Sequence, residues 1–246
     1  TCALPIYNAW YGSRWSSIVN IGSDKVFAIW ANASQSNYLY GSVGTVSGTN
    51  KTITWATAVA VDSNASKFVS VGYDSAADAI GMYFFRSDAG AWAINKVTVS
   101  GTSVTTATAS TISTTDYGAD ISGNPQPMVY DPDNNQLVLF VRKNNYPAGR
   151  AFSVTGSQMA TVHQTKHTSD GNVQADNFSA GFDYNTTDNM FVTAHSANYS
   201  AGVGGIAAWG VTNSGSAFTF GTKINFGVDT SAGATSISYN ADQNKF

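Results

Sequence analysis

The stretch PMVYDPDNNQLVLFV, residues 127–141, joins two apolar runs through a short polar segment. The first run ends at Tyr130, DPDNN (131–135) is rich in turn-forming residues, and QLVLFV (136–141) is almost continuously apolar. Val, Leu and Phe runs bounded by Asp and Asn are typical of strands joined by a tight turn. A strand wet on one face would alternate polar and apolar residues, so QLVLFV is expected to be covered on both faces.

The same pattern recurs along the chain. It appears again as SIVN (17–20), SVGYDSAAD (70–78), SAGFDYNTTDN (179–189) and SISYNADQN (236–244). If Val19, Tyr73, Tyr130, Phe182 and Tyr239 are equivalent, the steps between them are 54, 57, 52 and 57 residues. A second marker at Val46, Val99, Val154 and Val211 recurs with steps of 53, 55 and 57. Two markers with one spacing predict a repeat of about 55 residues.

Each repeat is predicted to contain four strands. In the second repeat they are KFVSVGY (67–73), AIGMYFF (79–85), AWAINKVTV (91–99) and SVTTATAST (103–111). The fourth strand of the first repeat is expected to run unbroken, with one alternating face formed by Ile53, Trp55, Thr57, Val59 and Val61. Antiparallel four-stranded sheets that stack on both faces predict an all-β fold, a β-propeller of four blades plus a partial fifth. A β-solenoid or an array of small sandwiches is the alternative.

The repeat spacing also predicts the domain organisation. Residues 7–246 form a single repeat domain with blades at approximately 15–64, 65–124, 125–176 and 177–231, and a partial blade at 232–246. The opening TCALPI (1–6) resembles a translated sequencing adapter and is expected to be an artefact. A chain cut at both ends is therefore expected.

Composition excludes several partners. All fifteen acidic residues are Asp, Leu occurs at only four positions, and charged residues make up 11% of the chain, so little helix is expected. The formal net charge of -3 and the lack of a basic cluster argue against nucleic acid and against membrane insertion. The single cysteine excludes an internal disulfide framework.

Several segments carry the repeat most clearly. They are Tyr73-Asp74, Tyr130-Asp131, Phe182-Asp183, the strands VFAIW (26–30) and LVLFVR (137–142), and GTVSG (44–48). They resemble a β-propeller-like repeat family of environmental marine phage tail-fibre and surface proteins, built on YDxxxNKxVIAYxD followed by GTVSG. The resemblance implies an extracellular or virion-surface location and a place in a larger fibre or oligomer. This copy departs from the pattern with Asn at 20 and 240 and an insertion in GVTNSG (210–215).

Two segments could bind a metal, but neither is complete. DPDNN could begin a calcium loop, yet it lacks a following Gly and the chain has no Glu to close the cage, so a plain turn is favoured. His163 and His167 share a strand face, but no further zinc ligand is marked nearby, so a solvated face is favoured. No metal and no cofactor are predicted.

One candidate binding site follows from the repeat itself. The residues just past the second strand are Asn32, Arg86, Arg142 and His195, with aromatic residues such as Trp30 beside them. In a propeller these positions would line a shared polar rim suited to glycans, whose hydroxyls form hydrogen bonds and whose C–H faces stack on rings. Ordinary polar strand ends are the alternative.

The sequence favours a non-catalytic recognition or adhesion module that binds a cell-surface glycan or protein. No G-x-S-x-G, HExxH or phosphate-cradling loop is present. A polysaccharide-acting hydrolase or lyase that uses Asp residues is the first alternative, because the fold could bring two carboxylates together. A structural spacer without a ligand is the second.

Overall fold

The computed structural model describes residues 16–49, 52–112, 128–143, 146–167, 181–200, 203–229 and 237–245. The terminal hexapeptide lies outside these residues. Strands dominate the described chain, and one 3-10 turn, Ala33–Gln35, interrupts them. Within these residues no helix has the length and apolar character needed to span a membrane. The all-β prediction is confirmed.

Sheets 1 and 2 are successive antiparallel meanders. Sheet 1 contains β1 (Ser16–Asn20), β2 (Lys25–Asn32), β3 (Tyr38–Ser47), β4 (Thr52–Trp55) and β5 (Val59–Asp62). Sheet 2 contains β6 (Ser66–Asp74), β7 (Ala79–Arg86), β8 (Ala91–Ser100), β9 (Ser103–Thr106) and β10 (Ser110–Ile112). In each sheet the first three strands pair in chain order, and two short strands share the far edge of the third.

Sheets 3 and 4 follow the same strand order, except that a single strand forms the far edge of the third strand in sheet 3. Sheet 3 contains β11 (Val129–Asp131), β12 (Gln136–Lys143), β13 (Tyr146–Ser153) and β14 (Ala160–Lys166). Sheet 4 contains β15 (Gly181–Asn185), β16 (Met190–Ser200), β17 (Val203–Asn213), β18 (Phe218–Phe220) and β19 (Ile224–Asp229). Four four-stranded repeats are therefore present, as predicted, and the turn at 241–244 begins a fifth.

The first hairpin of each repeat is held by one polar side chain. Asp74 Oδ1 accepts hydrogen bonds from the amides of Ala76 and Ala77. Asp131, Asn185 and Asn240 accept the equivalent pairs of amide bonds in later repeats. The last turn residue has a positive φ each time, at Asp78, Asn135, Asn189 and Asn244. Asp and Asn tolerate this conformation better than most residues, which explains their recurrence.

These hairpins show that Phe182 is not, as the sequence predicted, the equivalent of Tyr73 in the fourth repeat. Tyr184 pairs with Phe191 as Tyr73 pairs with Ile80, so Tyr184-Asn185 is equivalent to Tyr73-Asp74. Phe182-Asp183 lies two residues earlier. The sequence carried an aromatic residue followed by a polar one at both places, and the prediction chose the wrong pair.

The fourth strand is broken rather than continuous. In sheet 1, Trp55 pairs with Gly44 and Val59 pairs with Gly41. The edge strand therefore advances by four residues where β3 advances by three. This one-residue bulge turns Val59 and Val61 to the face opposite Ile53 and Trp55, so the predicted single alternating face is wrong. The same break separates β9 from β10 and β18 from β19. At each break an amide donates to the third strand: Ala56 to Val43, Ala107 to Lys96 and Gly221 to Gly210.

The chain divides into two compact units, each with its own core. The first comprises Thr1–Ser113 with Ser153–Ala160, and the second comprises Thr114–Phe152 with Thr161–Phe246. In the first unit, Phe27 and Ile29 of sheet 1 pack against Met82 and Phe84 of sheet 2. In the second, Phe140 of sheet 3 packs against Phe182 and Phe191 of sheet 4. The second strands are therefore buried on both faces, as their apolar sequences predicted.

Candidate functional site

A polar cleft lies between sheets 1 and 2, at the end of β7 that carries Arg86. Its volume is about 540 Å³. The wall from sheet 1 is the end of β5 and the following loop, residues 60–64, and the wall from sheet 2 includes Arg86, Asn95 and the strand break at 106–109. The cleft exists because the fourth strand of sheet 2 is interrupted there, which leaves room beside β8.

Arg86 is the charged donor of this cleft. It is the last residue of β7 and pairs with Ser66 and Ala91 on either side. Its side chain is 17% exposed, and its ion-pair contact from Nη2 to Asp88 is long at 3.5 Å. The Nε atom is buried and has no hydrogen-bond partner among the described residues. A guanidinium with an unsatisfied donor is costly, so the exposed part of this group is a natural partner for a ligand oxygen.

Acceptors and amides complete the lining. Asp62 is buried and accepts hydrogen bonds from the amide and the side chain of Asn64 through Oδ1. The side-chain amide of Asn95 donates to Thr106, and both residues also donate to the carbonyl of Val61. These bonds tie the walls of the cleft together within the first unit. These hydrogen bonds hold the charged, amide and hydroxyl groups of the cleft in fixed positions.

Sequence reasoning found Arg86 and missed its neighbours. Asn95 is the polar residue inside the strand AWAINKVTV (91–99), and a buried amide in an apolar strand is a usable signal. Asp62 was missed because the fourth strand of the first repeat was predicted to run unbroken to Val61, and Asp62 follows it. Neither residue lies next to Arg86 in the sequence.

Two predicted rim residues of sheet 1 are not part of this cleft. Asn32 ends β2, the position equivalent to Arg86, but its Oδ1 accepts hydrogen bonds from the amide and hydroxyl of Ser34 and starts the 3-10 turn. Trp30 is 4% exposed, so it is a core residue rather than an exposed stacking platform. Asn32 is therefore an ordinary polar strand end.

The other two predicted rim residues occupy different positions from Arg86. The second strands begin at Lys25, Ala79, Gln136 and Met190, and their eighth residues are Asn32, Arg86, Lys143 and Ala197. Arg142 is the seventh residue of β12, opposite Pro147. His195 is only the sixth residue of β16, opposite Ala207, and is 1% exposed. The four residues therefore do not share one structural position.

His195 belongs to an aromatic layer between sheets 3 and 4. Its Nε2 lies 2.7 Å from the hydroxyl of Thr193, and its ring meets Trp209 edge-on. Burial lowers the pKa of His195 to about 3, so the ring is neutral at physiological pH. This environment stabilises a core and offers no exposed polar group.

His163 and His167 face the same layer, so the predicted solvated face is wrong. His163 packs on Phe218 and approaches Gln136, and His167 stacks on Phe220. Burial lowers the pKa of His163. In the described part of the chain, no group of three His, Cys, Asp or Glu residues is arranged to hold a metal ion.

Residues 132–135 of the DPDNN segment form the four-residue turn between β11 and β12. Besides capping this turn, Asp131 accepts hydrogen bonds from the side-chain amides of Asn134 and Asn213. Asp133 accepts one from the hydroxyl of Tyr184. These carboxylates point at protein donors, which makes the segment a hairpin and a contact between sheets 3 and 4.

Comparison with solved structures finds the same architecture at low sequence identity. A protein from Lactobacillus plantarum matches with a TM-score of 0.54 and 10% identity, over 82% of this chain and 53% of that one. A hypothetical selenium-binding protein from Sulfolobus tokodaii matches with a TM-score of 0.54 and 8% identity, over 91% and 60% of the two chains. The β-propeller domain of the Trilobed protease from Pyrococcus furiosus matches at a TM-score of 0.42 and 7% identity, over 88% and 58%.

No protein-family model matches the chain, and no curated protein sequence matches it. The chain spans about half to three fifths of the length of the solved structures described above. Its fold class is an all-β propeller made of four-stranded antiparallel blades, four of them followed by the first hairpin of a fifth.

Proposed function

We propose that this chain is a non-catalytic recognition module of a phage tail fibre or microbial surface protein, and that the Arg86 cleft binds a cell-surface glycan. The observation that carries the proposal is the guanidinium of Arg86, which lines a polar cleft and whose Nε has no hydrogen-bond partner among the described residues. Sugar hydroxyls both donate and accept hydrogen bonds, so they complement Arg86, Asp62 and Asn95 together. An extracellular or virion-surface location and a place in a larger fibre follow from the repeat resemblance.

The use of the aspartates favours binding over catalysis. Glycoside hydrolysis requires two carboxyl groups on either side of the scissile bond. The Arg86 cleft contains one, Asp62, and that side chain already accepts two hydrogen bonds from Asn64. Asp74 and Asp131 cap hairpins, and Asp183 accepts a hydrogen bond from the amide of Tyr239. These carboxylates have structural roles.

Binding to an array of microbial surface polysaccharides tests the proposal. We expect wild-type protein to bind at least one polysaccharide, and Arg86→Ala to weaken that binding about tenfold or more, because a hydrogen bond to a charged group contributes ~1.5–3 kcal/mol. Lys223→Ala removes a positive charge outside the cleft and is expected to bind like wild type. Arg86→Lys retains the charge without the planar donor and should recover only part of the affinity.

Two results would overturn the proposal. Release of reducing sugar from the bound polysaccharide, retained in Arg86→Ala, would favour the hydrolase alternative. Wild-type protein that binds neither polysaccharides nor microbial cells would favour the structural spacer.

A further inference from the structure

A second cleft lies between sheets 1 and 2, at the opposite ends of the same strands. Its volume is about 430 Å³. Sheet 1 contributes residues 21–23 and Lys25 of its first hairpin, and sheet 2 contributes Tyr73, Ser75 and Asp78 with the turn at 99–101. Ile80 lies in this cleft and Arg86 in the other, and six residues of one strand span roughly 20 Å. The two clefts are therefore separate.

The equivalent space between sheets 3 and 4 is bridged by the chain itself. The side-chain amide of Asn213, the last residue of β17, donates to Asp131 at 2.8 Å and to Gln136 at 2.9 Å. Gln136 in turn donates to the carbonyl of Gly215, and the hydroxyl of Tyr184 donates to Asp133. Sheet 4 thus supplies an amide and a phenol hydroxyl that donate hydrogen bonds to the first hairpin of sheet 3.

One side chain explains why the second unit is bridged. Val211 pairs with Phe220 as Val97 pairs with Thr106, so the two turns have the same length and Asn213 takes the position of Val99. The structure therefore shows no insertion in GVTNSG relative to sheet 2. Asn213 carries an amide that reaches the hairpin of sheet 3, whereas Val99 is apolar and lines the open cleft.

The polar groups of the open cleft also differ. Lys25 begins β2 and occupies the position that Gln136 occupies in sheet 3. Tyr73 is equivalent to Tyr184, but its hydroxyl turns back to Asp78 of its own hairpin at 2.7 Å instead of crossing to the neighbouring sheet. Burial, reinforced by the Asp78 carboxylate, raises the pKa of Tyr73 to about 12, so the hydroxyl remains a donor. The cleft keeps an ammonium group, a carboxylate and several hydroxyls.

We propose that this second cleft binds a single sugar unit, whose polar groups take the positions that Asn213 and Tyr184 fill between sheets 3 and 4. Lys25 donates to ring or hydroxyl oxygens, and Asp78 with Ser75 and Ser100 accepts from sugar hydroxyls. Ile21, Ile80 and Val99 provide an apolar floor for the C–H face of the ring. A volume of about 430 Å³ lies within the usual range for small-ligand sites. This site acts independently of the Arg86 cleft.

Saturation-transfer NMR with glucose, galactose and N-acetylglucosamine tests this site directly. We expect at least one of the three sugars to receive saturation from the wild-type protein at millimolar concentration. Tyr73→Phe and Lys25→Gln should each weaken the affinity about fivefold or more, since the first removes the hydroxyl that orients Asp78 in the cleft and the second removes the ammonium donor. Arg86→Ala should leave it unchanged, which separates this proposal from the proposed function.

Tyr130→Phe is the matched control for Tyr73→Phe. Tyr130 donates to Asn135 within its own hairpin, as Tyr73 donates to Asp78, but it lies outside the open cleft. A loss caused only by a weakened hairpin would therefore appear in both variants. The proposal is overturned if none of the three sugars receives saturation from wild type, if Tyr73→Phe and Lys25→Gln bind like wild type, or if Tyr130→Phe loses as much affinity as Tyr73→Phe.

Discussion

At the scale of single residues, His195 differs most from its repeat equivalents. The sixth residues of the second strands are Trp30, Phe84, Val141 and His195, and all four are buried. Three of them are apolar, so His195 is the member that can gain a proton. Desolvation lowers its pKa because a charged imidazole would lose its hydration in this layer. The hydroxyl of Thr193 and the edge of Trp209 suit the neutral ring.

This histidine makes stability depend on pH. Its pKa is about 3 in the folded chain and 6.5 in an unfolded one, so the unfolded chain binds more protons between these values. The stability is full above pH 6.5 and falls as the pH decreases, by about 1.4 kcal/mol per unit. We expect His195→Phe to remove this component, so that wild type loses ~2 kcal/mol more than the variant between pH 7.5 and pH 5.

Urea unfolding at the two pH values measures the difference. The pKa of His163 is also lowered, but that residue is present in both proteins and cancels in the comparison. If the free energy of unfolding falls equally in the two proteins, protonation of His195 does not destabilise the folded chain, and the prediction is wrong.

At the scale of elements, the capped hairpin is the unit that repeats. One side-chain oxygen satisfies two turn amides, and one residue with positive φ closes the turn before the second strand. Asn fills the capping position at 185 and 240, because an amide oxygen accepts the same two bonds as a carboxylate. The hairpin therefore requires an Asx oxygen and does not require a charge.

Substitutions at Asp74 test this requirement. Asp74 is fully buried, and its Oδ2 has no hydrogen-bond partner within the described chain. We expect Asp74→Ala to lower the free energy of unfolding by ~1–3 kcal/mol, because two turn amides lose their acceptor. Asp74→Asn should remain within about 1 kcal/mol of wild type, since it keeps that acceptor. Denaturant titration followed by tryptophan fluorescence measures both changes; an Asn variant as unstable as the Ala variant would mean that the charge itself is needed.

The repeat period and the strands could be predicted from the sequence because the residues that form a turn lie next to one another in the chain. The fourth repeat was misaligned because SAGFDYN (179–185) contains two aromatic-polar pairs. The second marker contained the same error. Val211 pairs with Phe220 as Val97 pairs with Thr106, so the true equivalent of Val99 is Asn213, two residues after the predicted Val211. Because both markers were placed two residues too early, the spacing between them did not change. Only the backbone pairing could reveal this error.

The binding cleft was less predictable than the fold. Arg86 was found because the end of an apolar strand is visible in the sequence. Arg142 and His195 were chosen by the same rule, but their apolar runs end one and two residues earlier in the strand. The cleft also depends on the bulge that interrupts the fourth strand, and TTATAS (105–110) is as compatible with one strand as with two. A bulge depends on pairing with the neighbouring strand, which no short sequence window contains.

At the scale of the whole molecule, the chain has two separate hydrophobic cores. Phe84 is fully buried in the first unit, and Phe140 is fully buried in the second. The ring of Phe140 lies 5.0–5.7 Å from the rings of Phe182, Phe191 and Phe218, all in its own unit. In repeat proteins stability is close to a sum over units and their nearest neighbours. A core defect should therefore be felt mainly in the unit that contains it.

Paired substitutions with amide hydrogen exchange test this expectation. Phe140→Ala should cost about 3–5 kcal/mol, because it removes a large buried side chain and leaves a cavity. Exchange protection should fall first in β11–β13 and β15–β17, whereas β1–β3 and β6–β8 retain theirs. Phe84→Ala is the matched change in the first unit and should give the opposite pattern. If either variant lowers protection equally in both sets of strands, the two cores unfold together as one cooperative structure, and the additive description of the repeats is wrong.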